Sequence, residues 1–148
     1  MTKVQIPRND QAPITQEVSM DSQPPGKPED LAPPSRERRY DLAERTSKFC
    51  ERVIDFLKTV PETASTRRHI DQLVGSSTSM GANYCEADEA VSKKDFRCKI
   101  GTCKKEAKET KFILRMLARA LPERADDLRR LWQEGHELHM IFAAIYRK

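Results

Sequence analysis

This chain of 148 residues is long enough for a single domain. Its 27 Lys and Arg residues exceed its 23 Asp and Glu residues by four, an excess that permits nucleic-acid binding but does not require it. No stretch approaches the roughly 20 consecutive apolar residues of a membrane span, and no leader-like apolar run opens the chain. We therefore expect a protein with no membrane segment.

Residues 1–38 differ in composition from the rest of the chain. Seven of the nine prolines precede residue 40, and the first aromatic residue is Tyr40. Six basic and six acidic residues cancel before residue 40, so the whole positive excess belongs to residues 40–148. A segment without aromatic residues buries too little apolar surface to offset its chain entropy. We predict a disordered, Pro-rich tail over 1–38 and one folded domain over 39–148. Whether the tail is a passive extension or an arm for a partner stays open.

Two helices are predicted in the first half of the domain. Asp41 followed by Glu44 is typical of a helix start, and apolar residues at helical spacing continue to Val60, before Pro61. A second helix should begin near Ser65 or Thr66 and run through the Gly- and Ser-rich segment 75–82. We favour a continuous helix there, whose small residues admit a neighbouring helix, over a loop that breaks it. Its predicted buried stripe is Ile70, Leu73, Val74, Ser77, Met80, Tyr84, Ala87 and Val91.

The second half of the domain predicts two more helices. Ser92 with Asp95 forms another capping pattern, and apolar residues then recur in alternating steps of four and three, which is the spacing of a bundle seam. Pro122 ends this helix or opens the next. Because no strand pattern occurs and the connections are short, we predict an all-α, antiparallel up-down four-helix bundle. The seam residues are Phe96, Ile100, Cys103, Ala107, Thr110, Leu114, Leu117 and Leu121 on the third helix, and Leu128, Leu131, Gly135, Leu138, Phe142 and Ile145 on the fourth.

Cations form one face of the third helix, turning away from its seam. Such a face can neutralise phosphates, or it can be a solvated helix surface partly offset by Glu106 and Glu109. No aromatic residues alternate with the cations, so base stacking is not expected. The five central residues are Arg97, Lys104, Lys108, Lys111 and Arg115, and the flanking ones are Lys94, Lys105 and Arg119.

Other residues lie off the predicted seams. An apolar set on the third and fourth helices would be exposed in a monomer, which predicts an oligomer interface at Phe112, Ile113, Met116, Met140 and Ile141. Asn83 and Glu86, one turn apart on the second helix, are predicted to be structural polar residues. We expect them to bond across the bundle to groups such as Lys105 or Glu109.

Catalytic and metal sites find little support. No Glu has a His three residues later, as di-iron bundles require, and His136-Glu137-Leu138-His139 is one residue short of H-E-x-x-H. The four cysteines, Cys50, Cys85, Cys98 and Cys103, have no zinc or C-x-x-C spacing. As free thiols in a chain without an export signal, they favour a cytoplasmic location. We expect a non-enzymatic protein with no metal or cofactor.

A family resemblance follows from three runs of sequence. These are Ser76-Ser77-Thr78-Ser79-Met80-Gly81-Ala82-Asn83-Tyr84-Cys85-Glu86-Ala87, Ser92-Lys93-Lys94-Asp95-Phe96, and Cys103-Lys104-Lys105-Glu106-Ala107-Lys108-Glu109-Thr110. Over residues 40–148 the chain resembles the four-helix-bundle proteins encoded in intervening sequences of bacterial 23S ribosomal RNA genes. The resemblance implies an antiparallel four-helix bundle that assembles as a homopentamer.

A related branch, similar in fold, is the accessory variability proteins of diversity-generating retroelements. Those are basic pentameric rings that bind nucleic acid and a reverse transcriptase. The resemblance thus implies an oligomeric scaffold that binds RNA or DNA, and the branch stays open. The alternative is a protein-binding bundle with no nucleic-acid role.

Overall fold

The computed structural model describes residues 41–148 and confirms the all-α prediction. Its helices are α1 (Leu42–Leu57), α2 (Arg67–Asp88), α3 (Lys93–Ala120) and α4 (Ala125–Arg147), with a short 3₁₀ turn at Pro122–Arg124. No strand occurs in this part of the chain. None of the described helices is both long and apolar enough to cross a membrane. The predicted tail over 1–38 lies outside the described residues.

The helix starts follow the capping patterns in the sequence. The Asp41 carboxylate accepts a hydrogen bond from the Glu44 amide at 3.0 Å, and the Ser92 hydroxyl accepts one from the Asp95 amide at 3.1 Å. Each bond satisfies an amide that the first helical turn leaves without a partner. Thr66 acts differently: its hydroxyl donates to the carbonyl of Pro61 at 2.6 Å, so it holds the connection that precedes α2.

The four helices form a closed, antiparallel up-down bundle. Each helix packs against the next, and α4 returns to pack against α1. Late residues of α2 meet early residues of α3, as Glu86 pairs with Lys99, whereas Ser76 near the middle of α2 meets Thr110. This order of contacts means that α2 and α3 run in opposite directions, as their short connection predicts.

The core consists largely of the predicted seam residues, such as Phe49, Leu73 and Leu114. Three predicted stripe or seam residues are exposed instead. Val91 is 94% exposed because α2 has already ended, and Val74 is 36% exposed on the outer side of α2. Phe96 is 37% exposed because it lies in the first turn of α3, beyond the end of α2. The seam prediction was wrong at these helix ends and edges because spacing alone does not show where the neighbouring helix stops.

The small residues of α2 lie in one continuous helix, as predicted, but only some of them allow a neighbouring helix to approach closely. A Cβ atom at Gly81 would stand 3.4 Å from the Cys50 Sγ atom, so α1 approaches α2 closely there. At Gly75 no neighbouring atom lies within 4 Å of that position, so close approach does not explain this glycine. Ser76 is buried, and its hydroxyl oxygen accepts a hydrogen bond from Thr110 on α3 at 2.9 Å.

The predicted polar contacts of Asn83 and Glu86 need correction. The Asn83 side chain donates to the carbonyl of Ser79 in its own helix at 2.9 Å and does not reach across the bundle. Glu86 does cross from α2 to α3, but its partner is Lys99. Lys105 and Glu109 lie on the exposed side of α3, which places them away from α2.

Candidate nucleic-acid interface

The five central cations form a narrow stripe along one side of α3. Their separations of seven, four, three and four residues keep them on one helix face. With a rise of about 1.5 Å per residue, the stripe from Arg97 to Arg115 is about 27 Å long. Lys108 and Arg115 are exposed, whereas Lys104 and Lys111 are half-buried.

Three residues of this stripe contact aromatic rings of α4, which the sequence analysis did not predict. The Arg97 guanidinium stands 4.9 Å and the Lys104 ammonium 4.2 Å from the centre of the Tyr146 ring. The Lys111 ammonium stands 5.5 Å from the centre of the Trp132 ring. Cations over aromatic faces are attracted by the ring quadrupole. Aromatic residues of α4 thus lie against three cations of α3.

Two histidines complete this α4 surface. The Lys111 Nζ atom lies 3.1 Å from Nδ1 of His136 and 3.3 Å from Nδ1 of His139. A charged Lys111 can only donate in these two contacts, so each Nδ1 atom would then be the acceptor. The ring of His136 stacks on that of Trp132, with centres 5.2 Å apart. The sequence signal was present but missed, since Trp132, His136, His139 and Tyr146 share one face of α4.

Burial and like charge perturb the titration of this cluster. Burial, together with the charge of Lys108, lowers the pKa of Lys111. Burial also lowers the pKa of His139, and the charge of Lys111 adds to the effect. Both shifts favour the neutral forms, because desolvation and neighbouring cations each disfavour further positive charge.

The basic stripe makes no ion pair within residues 41–148. Within residues 41–148, none of the eight predicted cations has a carboxylate oxygen within 4.0 Å. Glu106 and Glu109, which would offset part of the charge in the solvated-surface alternative, form no ion pair in this part of the chain.

Hollows run beside the stripe between α3 and α4. One of about 370 Å³ is bounded by Trp132, Arg115 and Arg129 over an apolar floor that includes Leu114 and Leu128. A second, of about 450 Å³, and a third of about 860 Å³ at the end of the bundle share Arg97 and Tyr146 in their walls. Cations therefore border each of these three openings.

The apolar residues predicted as an oligomer interface have different environments. Ile113 is 2% exposed and belongs to the core, so its assignment to an exposed interface was wrong. The reason is that α3 packs against both α2 and α4, which buries a wider strip than one seam. Met116 and Ile141 are half-buried, while Phe112 is 61% and Met140 48% exposed. Two of the five residues thus remain as large exposed apolar side chains.

The cysteines and carboxylates do not form a metal centre. Among the described residues, no group of three or more His, Cys, Asp or Glu side chains could hold a metal ion. Cys103 is buried, and its burial raises the pKa of the thiol to about 12. The Cys50 thiol donates to the Ser77 carbonyl at 3.0 Å, which fits a packing role for this residue.

Comparison with known proteins identifies the family. A solved structure, of a protein with unknown function from the S23 ribosomal protein family of Bacteroides thetaiotaomicron, matches with a TM-score of 0.64 and 25% sequence identity. The match covers 72% of this chain and 98% of that chain. A search of the curated proteins gives no match. The family model of the 23S rRNA-intervening sequence proteins matches residues 38–144, which is most of the chain. This chain therefore belongs to the 23S rRNA-intervening sequence protein family.

Proposed function

We propose that this protein is a non-enzymatic, oligomeric scaffold that binds nucleic acid through the basic stripe of α3. The observation that carries the proposal is the set of eight cations on α3 without a carboxylate partner in residues 41–148, five of which form a stripe about 27 Å long. Phosphate groups neutralise such a stripe and release the counterions that it otherwise attracts. No element of the bundle resembles a base-reading motif, so sequence preference should be weak.

The salt dependence of binding measures how many phosphates the stripe contacts. Five contacts to a duplex give a slope of about −4.5 in a plot of log affinity against log salt concentration. The same five contacts to a single strand give about −3.5. Fluorescence anisotropy of a labelled oligonucleotide at several salt concentrations gives this slope directly.

The choice of variant follows from the contacts of each cation. Arg97, Lys104 and Lys111 pack on aromatic rings of α4, so replacing them would also disturb helix packing. The exposed cations without such contacts test the charge alone. The stripe variant is therefore Lys105→Gln, Lys108→Gln, Arg115→Gln and Arg119→Gln.

A matched control removes the same charge elsewhere. Lys48→Gln, Lys58→Gln, Arg67→Gln and Arg68→Gln change four exposed cations on or beside α1 and α2. We expect the stripe variant to bind weakly at every sequence tested, with a shallower salt slope, and the control to retain most of the affinity. The proposal fails if the wild-type protein binds neither RNA nor DNA at low salt, or if both variants lose affinity equally. Either result would favour the alternative function, a protein-binding bundle with no nucleic-acid role.

Oligomerisation would multiply a weak phosphate-binding surface. The family resemblance predicts a homopentamer, and the exposed Met140 is available for contacts between copies. A ring of copies would present the stripe several times to one nucleic acid, which raises the effective affinity. Light scattering gives the mass, and a monomer at tens of micromolar would contradict this part of the proposal.

A reverse transcriptase is the further partner proposed for the retroelement branch. The position of the gene separates the branches. A neighbouring reverse transcriptase gene supports the accessory role, and an origin inside a 23S ribosomal RNA gene supports the intervening-sequence role.

A further inference from the structure

We infer that the ligand of this face is single-stranded nucleic acid, whose unpaired bases stack on Phe112 and Trp132 while its phosphates contact the intervening cations. The inference rests on the proposed function and names the class of ligand. It reverses the expectation from sequence that base stacking plays no part.

Phe112 is the most exposed aromatic side chain in residues 41–148. Its exposure is 61%, against 38% for Trp132 and 37% for Phe96. It lies four residues after Lys108 and three before Arg115, so cations stand one turn away on both sides of its ring. A flat apolar ring between two cations is suited to a base and its flanking phosphates.

Trp132 supplies a second ring close to the same cations. It lines the hollow of about 370 Å³ together with Arg115, Arg129 and the apolar side chains of Leu114 and Leu128. This hollow combines an aromatic wall, an apolar floor and two guanidinium groups at its edge. Arg129 is paired with Asp126 at 2.8 Å, but this ion pair is highly exposed and contributes little, so a phosphate can replace the carboxylate.

Arg115 connects the two aromatic positions. It follows Phe112 by one turn of α3 and also borders the Trp132 hollow. A strand that crosses from α3 to α4 at this point can therefore keep a phosphate on Arg115 with a base on either side.

A duplex does not fit this arrangement as well as a single strand. In a duplex the faces of the bases are covered by their neighbours in the stack, so no free base face is available to stack on Phe112. In a single strand every base offers a free face, and each base stacked on an aromatic side chain raises affinity about 5- to 150-fold.

A second copy of the chain is the competing occupant of Phe112. Contact there would desolvate Lys108 and Arg115, neither of which has a carboxylate partner within the described part of the chain. An anionic strand neutralises both cations while covering the ring. Charge complementarity therefore favours the nucleic acid.

The test compares a thymidine homopolymer with a mixed-sequence duplex of equal length, using the wild-type protein, Phe112→Leu and Phe96→Leu. Leucine keeps an apolar side chain at these exposed positions but removes the ring. We expect Phe112→Leu to lower single-strand affinity about 5- to 150-fold and to leave duplex affinity and both salt slopes unchanged. Phe96→Leu, the matched control at the other end of α3, should change neither affinity.

Trp132 gives an independent signal, because it is the only tryptophan in the chain. Single-strand binding should quench its fluorescence, and duplex binding should do so much less. Tighter binding of the duplex, or an unchanged single-strand affinity in Phe112→Leu, would overturn the inference while leaving the proposed function intact. Absence of all nucleic-acid binding at low salt would remove the proposed function and this inference with it. A fall in oligomer mass in Phe112→Leu would assign the ring to a contact between copies and overturn the inference alone.

Discussion

The hydrogen bond between Thr110 and Ser76 is a buried polar contact that joins α2 to α3. Thr110 is fully buried and Ser76 is 4% exposed, and the Thr110 hydroxyl donates to the Ser76 oxygen at 2.9 Å. The other bond of Ser76, to the carbonyl of Leu73, is long at 3.5 Å. Thr110→Val keeps the branched shape but leaves the Ser76 hydroxyl without its short partner. We expect it to lower the free energy of unfolding by about 1–2 kcal/mol.

Replacing Ser76 instead of Thr110 should lower the free energy of unfolding by less. In Ser76→Ala the Thr110 hydroxyl can turn to a carbonyl one turn earlier in its own helix, so we expect a loss of about 0.5–1.5 kcal/mol. The double variant removes both polar groups together. Its loss should be smaller than the sum of the single losses by about 1 kcal/mol, because neither group is then left buried without a partner.

Denaturant unfolding of the four proteins at one fixed concentration measures this coupling, since oligomerisation would make stability depend on concentration. In a domain of this size each kcal/mol corresponds to about 4–8 °C in Tm. Thr78→Val, at an exposed position of α2, is the control and should stay within about 0.5 kcal/mol of wild type. The reasoning is refuted if the two single losses simply add, or if Thr110→Val costs no more than Thr78→Val.

Three further predictions use other features of the bundle. Because the pKa of His139 is lowered in the folded protein, the unfolded chain takes up the proton first as the pH falls. The stability that this residue contributes should be present above about pH 6.5 and lost below it. The Tm of His139→Gln should therefore fall less steeply with decreasing pH than the Tm of the wild-type protein. Equal slopes of Tm against pH in the two proteins would exclude His139 as the origin. Cys103, with its pKa raised to about 12, should resist alkylation in the native protein, while the exposed Cys85 and Cys98 react quickly. Rapid labelling of all four cysteines under native conditions would contradict this prediction. Gly75→Ala should raise the free energy of unfolding by about 1 kcal/mol, since nothing lies within 4 Å of the new methyl group. Gly101→Ala should lack that gain because its Cβ would stand 3.1 Å from the Tyr146 ring. If calorimetry shows the same increase in stability for Gly75→Ala and Gly101→Ala, the contact with Tyr146 is unimportant.

Features decided by neighbouring residues could be predicted from the sequence. The caps at Asp41 and Ser92 need only a side-chain oxygen and an amide three residues later, so a short motif determines them. The buried seam of α3 was likewise readable, since residues such as Ile100, Cys103 and Leu114 repeat at helical spacing. Short connections between long helices then leave few topologies other than the up-down bundle.

Features decided by the meeting of two helices could not be predicted in the same way. Spacing along α3 places Arg97 and Lys104 on one side, but it does not reveal that Tyr146 covers that side. Ile113 was assigned to an exposed surface because it lies off the seam, whereas the packing of both α2 and α4 against α3 widens the buried strip. Each error concerns register between segments far apart in sequence, and a periodicity argument carries no information about it.

The same long-range arrangement explains why the cations of α3 have no carboxylate partner on α4 within the described residues. On α4 the carboxylates Glu134 and Glu137 turn toward α1, where they pair with Arg45, and this hydrogen bonding lowers the pKa of Glu134. The other side of α4 carries rings in place of carboxylates, and those rings face the cations of α3. Because Glu134 and Glu137 pair with Arg45 on α1, these two carboxylates do not pair with the cations of α3. This spatial separation of charge, more than the excess of four cations, supports the proposal that the α3 face binds an anionic ligand.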